Sequence, residues 1–182
     1  MECLKRRLPR LYVSVSSTTR PLRKSLEVGG REYSFLSEAE FAEQISHGSF
    51  LEWAVYDGNY YGTPKGPVME KLAAGSDVIL EIDLEGARQV LEHCPAALMI
   101  FIMPPSMEEL RTRLVKRGTQ TPASLDNRLA RAREEMAAVR SGCWGGSRDF
   151  DYVIVNDDLN EAVERLSDII TDFREDDEQT HS

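Results

Sequence analysis

Cysteine, histidine and long apolar runs are all scarce in this chain. Cys3, Cys94 and Cys143 are an odd number with no C-x-x-C pair, which argues against a disulfide framework and against a zinc site. His47, His93 and His181 are scattered and add no metal-ligand spacing. No apolar run approaches the ~20 residues that a membrane span requires. The basic start from Met1 to Arg7 lacks the apolar segment of a signal peptide. A soluble, cytoplasmic protein without a membrane partner is the expectation. Positive charge is in deficit as well, 22 Lys and Arg against 31 Asp and Glu, and the formal net charge of −9 argues against a nucleic-acid partner. An anionic ligand would need a local focus of arginines. No internal repeat is present, and the oligomeric state is not legible.

With 182 residues, 41% of them apolar, the chain is long enough for one domain with a substantial core. Val78 to Ile82, Leu98 to Met103 and Tyr152 to Val155 are short apolar runs rich in β-formers, the pattern of strands buried on both faces of a parallel sheet. Between them lie helical stretches. Glu85 to Cys94 fits a crossover, and Ser106 to Lys116 carries Met107, Leu110 and Leu114 at helical spacing, with Pro104-Pro105 before it and Gly118 beyond. This alternation predicts an α/β fold with a parallel core. Residues 14–63 differ, with shorter strands, a hairpin signal at Gly29-Gly30 and a group of aromatics. Ser37-Glu38-Ala39-Glu40 has the form of a capping box and predicts a helix over about 38–46. Thr121-Pro122 offers an N-cap and a first-turn proline for a charged helix running to about Arg140. The acidic residues 177–182 are expected to be disordered.

The segment from Ser14 to Arg23 places small hydroxyls and two arginines where a β-rich stretch turns into a loop. Hydroxyls, backbone N–H groups and guanidinium forks together suit a tetrahedral phosphate; a polar turn is the plain alternative. Glu52 stands between Leu51 and Trp53, where an unpartnered carboxylate is expensive to bury. A base edge presenting two adjacent N–H groups, as guanine does and adenine does not, would satisfy it; a strand-end glutamate facing water is the alternative. Glu81 and Asp83 are two apart and expected to share a strand face at the carboxyl end, where open α/β sheets place ligands, or to form a structural ion pair. Arg113 and Arg117 are four apart on one helix face, followed by Arg128, Arg131 and Arg133. Like charges at that spacing repel unless an anion joins them, and a solvated charged helix is the alternative. Asn156-Asp157-Asp158 follows a strand and alone reads as an Asx turn.

Taken in order, Ser14 to Arg23, Gly29 to Phe35, Phe50 to Trp53, Gly58 to Thr63 and Val78 to Gly86 closely resemble guanylate kinase, a family that moves the γ-phosphoryl of ATP onto GMP. The resemblance runs from the first residues to about residue 173. It implies a P-loop-kinase-like core with an inserted GMP-binding lobe and a helical lid, in a single domain over 1–176. Its parts would be a core helix and lead-in at 1–13, the lobe at 14–75, core at 76–108, lid at 109–135 and core at 136–176. It further implies that Ser16, Arg20, Arg23, Tyr33 and Tyr61 hold the GMP phosphate, while Glu52, Thr63 and Asp83 read the guanine. Arg20, Arg113, Arg117 and Arg128 would act catalytically on the transferring group, Asn156 and Asp157 would contact ATP, and Glu81 would lie near Mg2+ as an indirect ligand.

Two features depart from the family pattern. The sequence contains no G-x-x-x-x-G-K-[ST], the loop whose backbone cradles ATP phosphates. Cys3 to Pro9 reads as the last turns of the helix that would follow it, and intact acceptor and lid residues favour a start internal to a longer reading frame over a short protein without ATP binding. A non-catalytic guanylate-kinase-like module that binds GMP or a partner protein is the alternative function. The second departure is the glycine-rich segment 141–148, expected to be an exposed loop whose Trp144 either docks on the core or serves a partner.

Overall fold

The computed structural model describes residues 1–22, 33–118 and 122–180, and the chain divides into two units, Met1–Ala96 and Ala97–Ser182. In the first, helix α1 (Glu2–Arg7) leads into strand β1 (Leu11–Val13), with Leu4, Leu8 and Leu11 buried. β1 pairs in parallel with β6 (Asp77–Ile79), which follows helix α3 (Lys65–Ala73). β6 is shorter than the expected 78–82 run, and the reason is local. Asp83 is the N-cap of helix α4 (Leu84–His93), its Oδ1 accepting the Gly86 N–H at 2.8 Å. A cap residue must stand outside the helix to offer its side chain to the first turn, so Glu81 and Asp83 lie in the connecting loop and not on one strand face. α4 buries Gly86, Ala87, Val90 and Leu91.

The remaining strands of this unit form a sheet in the order β3-β2-β5-β4, comprising β2 (Ser16–Thr18), β3 (Tyr33–Phe35), β4 (Phe50–Tyr56) and β5 (Asn59–Pro64). β2 and β3 are parallel and the other pairs antiparallel. The Gly29-Gly30 signal lies outside the described residues. A true tight hairpin joins β4 to β5 through Asp57-Gly58, both at positive φ of 50° and 72°, the twist that two-residue hairpins favour. Helix α2 (Glu38–Ser46) starts from the expected capping box: Ser37 Oγ accepts the Glu40 N–H at 3.2 Å and Glu40 Oε2 accepts the Ser37 N–H at 2.7 Å.

One irregularity organises this sheet. Phe50 pairs with Pro64, but the next pair is Glu52 with Thr63, so β4 carries one extra residue. A bulge of this kind inverts the alternation of side chains. Phe50 therefore joins the face where Phe41 of α2, fully buried, stacks on it at 4.4 Å and meets Tyr60 at 5.3 Å. Glu52 is turned to the opposite face.

In the second unit, β7 (Ile100–Met103) pairs in parallel with β8 (Tyr152–Val155). Helix α5 (Met107–Arg117) is capped by Ser106, whose Oγ accepts the Glu109 N–H, and stops at Gly118 in the left-handed conformation. Helix α6 spans Pro122–Arg140; the Thr121 cap lies outside the described residues. The expected two-sided burial of 152–155 is corrected: Ile154 is buried, but Val153 and Val155, which share a face, are exposed. Such burial needs a covering layer on each face, and cover here is partial on both: Ile102 and Tyr152 are exposed on the Ile154 face, whereas Met103, paired with Val155, is buried on the other. Helix α7 (Leu159–Thr180) carries helical backbone through Thr180, into residues expected to be disordered. The 141–148 segment is not simply an exposed loop. Trp144 is 7% exposed, its ring 4.5 Å from Phe150, which meets Phe101 at 5.4 Å. Gly146 lies over the indole so closely that a Cβ there would fall 2.0 Å from the ring.

Candidate functional site

The face of the four-stranded sheet opposite α2 gathers most of the expected acceptor residues. The registers put Glu52 opposite Thr63, Thr18 opposite Tyr61, and Ser16 opposite Tyr33, so that all of them project to one side. At one end, Thr63 Oγ1 donates to Glu52 Oε1 at 2.5 Å, and the two side chains are 0% and 5% exposed. Burial pushes the Glu52 carboxyl above the usual carboxylate range, the Thr63 hydrogen bond opposes this, and the nearby charge of Asp83 adds to it. A poised, largely dry acceptor results, close to a second carboxylate.

At the other end the Arg20 guanidinium carbon lies 5.6 Å from the Tyr33 ring centroid and 5.7 Å from that of Phe35. Tyr33 meets Tyr61 edge-on at 6.0 Å, and Tyr61 meets Tyr56 at 6.3 Å. Stacking of this kind fixes a guanidinium plane. Arg20 Nη1 donates to the Pro21 carbonyl at 2.8 Å. Arg23 lies outside the described residues. Sequence reasoning read the hydroxyl run 16–19 as ligand donors or a polar turn and missed a positioning pair. Thr18 Oγ1 donates to the Tyr60 carbonyl at 2.9 Å and accepts the Arg20 N–H at 3.2 Å, and Thr19 Oγ1 accepts the Tyr60 N–H at 3.0 Å. The arginine is thus anchored to β5. The signal was available in part, since two adjacent threonines beside a strand suit the backbone as well as a ligand.

Asp83 uses one oxygen to cap α4, and its charge is felt at Glu52. Glu81 is exposed in the loop before it. Among the described residues, no group of three or more His, Cys, Asp or Glu side chains could hold a metal ion.

In the second unit, Arg113 is a three-point brace. Its Nη1 donates to the Asn156 carbonyl at 2.6 Å, its Nη2 to the Asp157 carbonyl at 3.1 Å and its Nε to Glu109 Oε1 at 2.7 Å. Glu109, four residues back, therefore relieves the charge repulsion for which the sequence suggested an anion. Arg117 is exposed in the last turn of α5, Arg128 is half-buried on α6, and Arg131 pairs with Glu135 at 2.8 Å. The Asn156 N–H donates to the Met103 carbonyl at 2.8 Å, extending the β7–β8 ladder. The Asx-type role falls to Asp158, whose Oδ1 accepts the N–H groups of Asn160 and Glu161 as α7 begins.

Comparisons with known proteins point to one family. A family model described as guanylate kinase matches residues 2–173. A guanylate kinase of Gloeobacter violaceus is 55% identical over 166 residues, covering 90% of this chain and 77% of that protein. One from Thermobifida fusca is 46% identical over 167 residues, with 92% and 81% covered. The crystal structure of guanylate kinase from Anaplasma phagocytophilum superposes with a TM-score of 0.72 at 35% identity, over 92% of this chain and 78% of that one.

Proposed function

The chain belongs to the guanylate kinase family, and from that premise we propose that it serves the reaction of ATP with GMP to give ADP and GDP in the cytoplasm, with no nucleic-acid or membrane partner. The observation that carries the reading is the buried Glu52–Thr63 pair on the same sheet face as Arg20, Tyr33 and Tyr61. Guanine offers N1–H and an exocyclic amine side by side, and one carboxylate accepts both. Thr63 fixes one Glu52 oxygen, and Asp83 supplies a second acceptor near the amine. Ser16, Arg20, Arg23 and the hydroxyls of Tyr33 and Tyr61 take the phosphate. Selectivity follows because a base without that pair of donors leaves the buried Glu52 carboxylate with the bond from Thr63 and none from the ligand.

Catalysis in this reading is positioning and charge neutralisation, without a covalent intermediate. Arg20 orients the acceptor phosphate, while Arg113, Arg117 and Arg128 offset charge on the transferring group. Asn156 and Asp157 receive the donor nucleotide, in a segment that the Arg113 brace already holds. Glu81 offers Mg2+ one exposed carboxylate and not a cage, which suits an ion that arrives on nucleotide phosphates and keeps several waters. When bound, Mg2+ would neutralise phosphate charge. The sequence holds no G-x-x-x-x-G-K-[ST], so acceptor binding is tested apart from turnover. Equilibrium titration with GMP and AMP is expected to show GMP bound at least ~100-fold more tightly; equal binding of the two would remove the base-reading role from Glu52.

A further inference from the structure

Helix α4 lies directly behind the Glu52 carboxylate, and two of its residues have no role in the reading above. A Cβ placed on Gly86 would fall 2.6 Å from Glu52 Oε2, 3.1 Å from its Cδ and 3.2 Å from the Ile82 Cβ. Contact that close is not tolerated, so any side chain at 86 must move the carboxylate. One helical turn on, Gln89 faces Trp53, the residue next to Glu52. Its Oε1 accepts the Trp53 N–H at 3.0 Å and its Nε2 donates to the Trp53 carbonyl at 2.9 Å. β4 is an edge strand, so this amide stands in for the missing ladder partner and fixes the peptide plane beside Glu52. Gln89 is itself held by a bond from Nε2 to Glu85 Oε1 at 3.1 Å.

We propose that α4 is the backplate that sets guanine selectivity: Gly86, by lacking a Cβ, and Gln89, by bracketing Trp53, are positioning residues that hold the Glu52 carboxylate where it meets the N1–H and amine edge of the base. The inference rests on the reading of Glu52 as the guanine acceptor. A carboxylate displaced by even an ångström loses the geometry for two parallel hydrogen bonds, while the phosphate end of the site, carried on β2, β3 and β5, is untouched.

The test is the ratio of GMP to IMP affinity, measured calorimetrically on the full chain and on Gly86→Ala, Gln89→Ala and Glu52→Gln. IMP shares ribose, phosphate and N1–H with GMP and lacks the amine. Both α4 variants are expected to lose at least ~10-fold in GMP affinity with a smaller loss for IMP, so the ratio falls toward one. General damage to the lobe would weaken both nucleotides together, so a preserved ratio in a folded variant overturns the proposal. Alanine is a better helix former than glycine, but if circular dichroism shows Gly86→Ala unfolded, Gln89→Ala, which adds no volume, decides by the same criterion. A preserved ratio in Glu52→Gln would overturn the underlying reading of Glu52, whatever the α4 variants do.

Discussion

Glu52→Gln should move binding and stability in opposite directions. The amide has the shape of the carboxylate and keeps an oxygen for the Thr63 hydroxyl, which leaves an NH2 group facing the donor edge of guanine. Two hydrogen bonds to a charged acceptor are lost. Each is worth ~1.5–3 kcal/mol, giving a loss of roughly 3–6 kcal/mol, or about two to four orders of magnitude in Kd. Stability changes the other way. Burial raises the folded-state pKa of Glu52 above its unfolded value, so the group's contribution is fully present below the ordinary glutamate pKa and is lost as pH rises through the raised value. A neutral amide escapes that loss. The apo variant should therefore unfold at a higher temperature than the parent near pH 8, with the gain shrinking as pH falls towards 4. Calorimetric titration with GMP and thermal unfolding across pH measure the two halves. A folded variant that binds GMP within roughly threefold of the parent, or a stability difference independent of pH, would refute the reasoning.

Arg20→Ala should weaken GMP binding by at least ~10-fold, with Arg20→Lys restoring only part, because a point charge cannot reproduce a fork stacked on Tyr33 and Phe35; an unchanged Kd in the folded alanine variant counts against the phosphate assignment. Gly146→Ala should destabilise the second unit by ~1–3 kcal/mol through overpacking on Trp144, read as a lower unfolding temperature and a red-shifted tryptophan emission; unchanged spectra would deny the docking of the indole. Arg113→Ala should speed hydrogen exchange of the amides at residues 156–158, since the two donor contacts that tie this segment to α5 disappear. Unaltered exchange would show that the brace does not hold the segment.

What the sequence disclosed was chiefly what is local. The Ser37 capping box and the Tyr152–Val155 strand depend on residues close in sequence, and each lies where the pattern puts it. The parallel pairing of the 98–103 and 152–155 runs was legible from the alternation of apolar runs and helices, whereas the 78–82 run pairs with Leu11–Val13 in a separate sheet. Asp83 shows local chemistry read too narrowly: two acids spaced by two suggested a strand face, whereas a helix cap removed both from the strand. Long-range relations were hidden. The extra residue between Phe50 and Glu52 exists only against the register of β5, and it alone explains why one side chain joins the aromatic stack while the other faces Thr63. Gln89 looked like any polar helix residue until an edge strand lay beside it, and the docking of Trp144 depends on Gly146 folding over it. The acceptor residues were named from motif resemblance; their shared face follows from strand registers that no single segment encodes.

Phosphoryl transfer to GMP is measured as GMP-dependent formation of ADP from Mg2+-bound ATP, with AMP as control acceptor and circular dichroism to confirm folding. ADP formation is expected to require GMP and not to be supported by AMP. A folded chain that binds GMP yet forms no ADP would contradict the proposed transfer and favour the non-catalytic guanylate-kinase-like module.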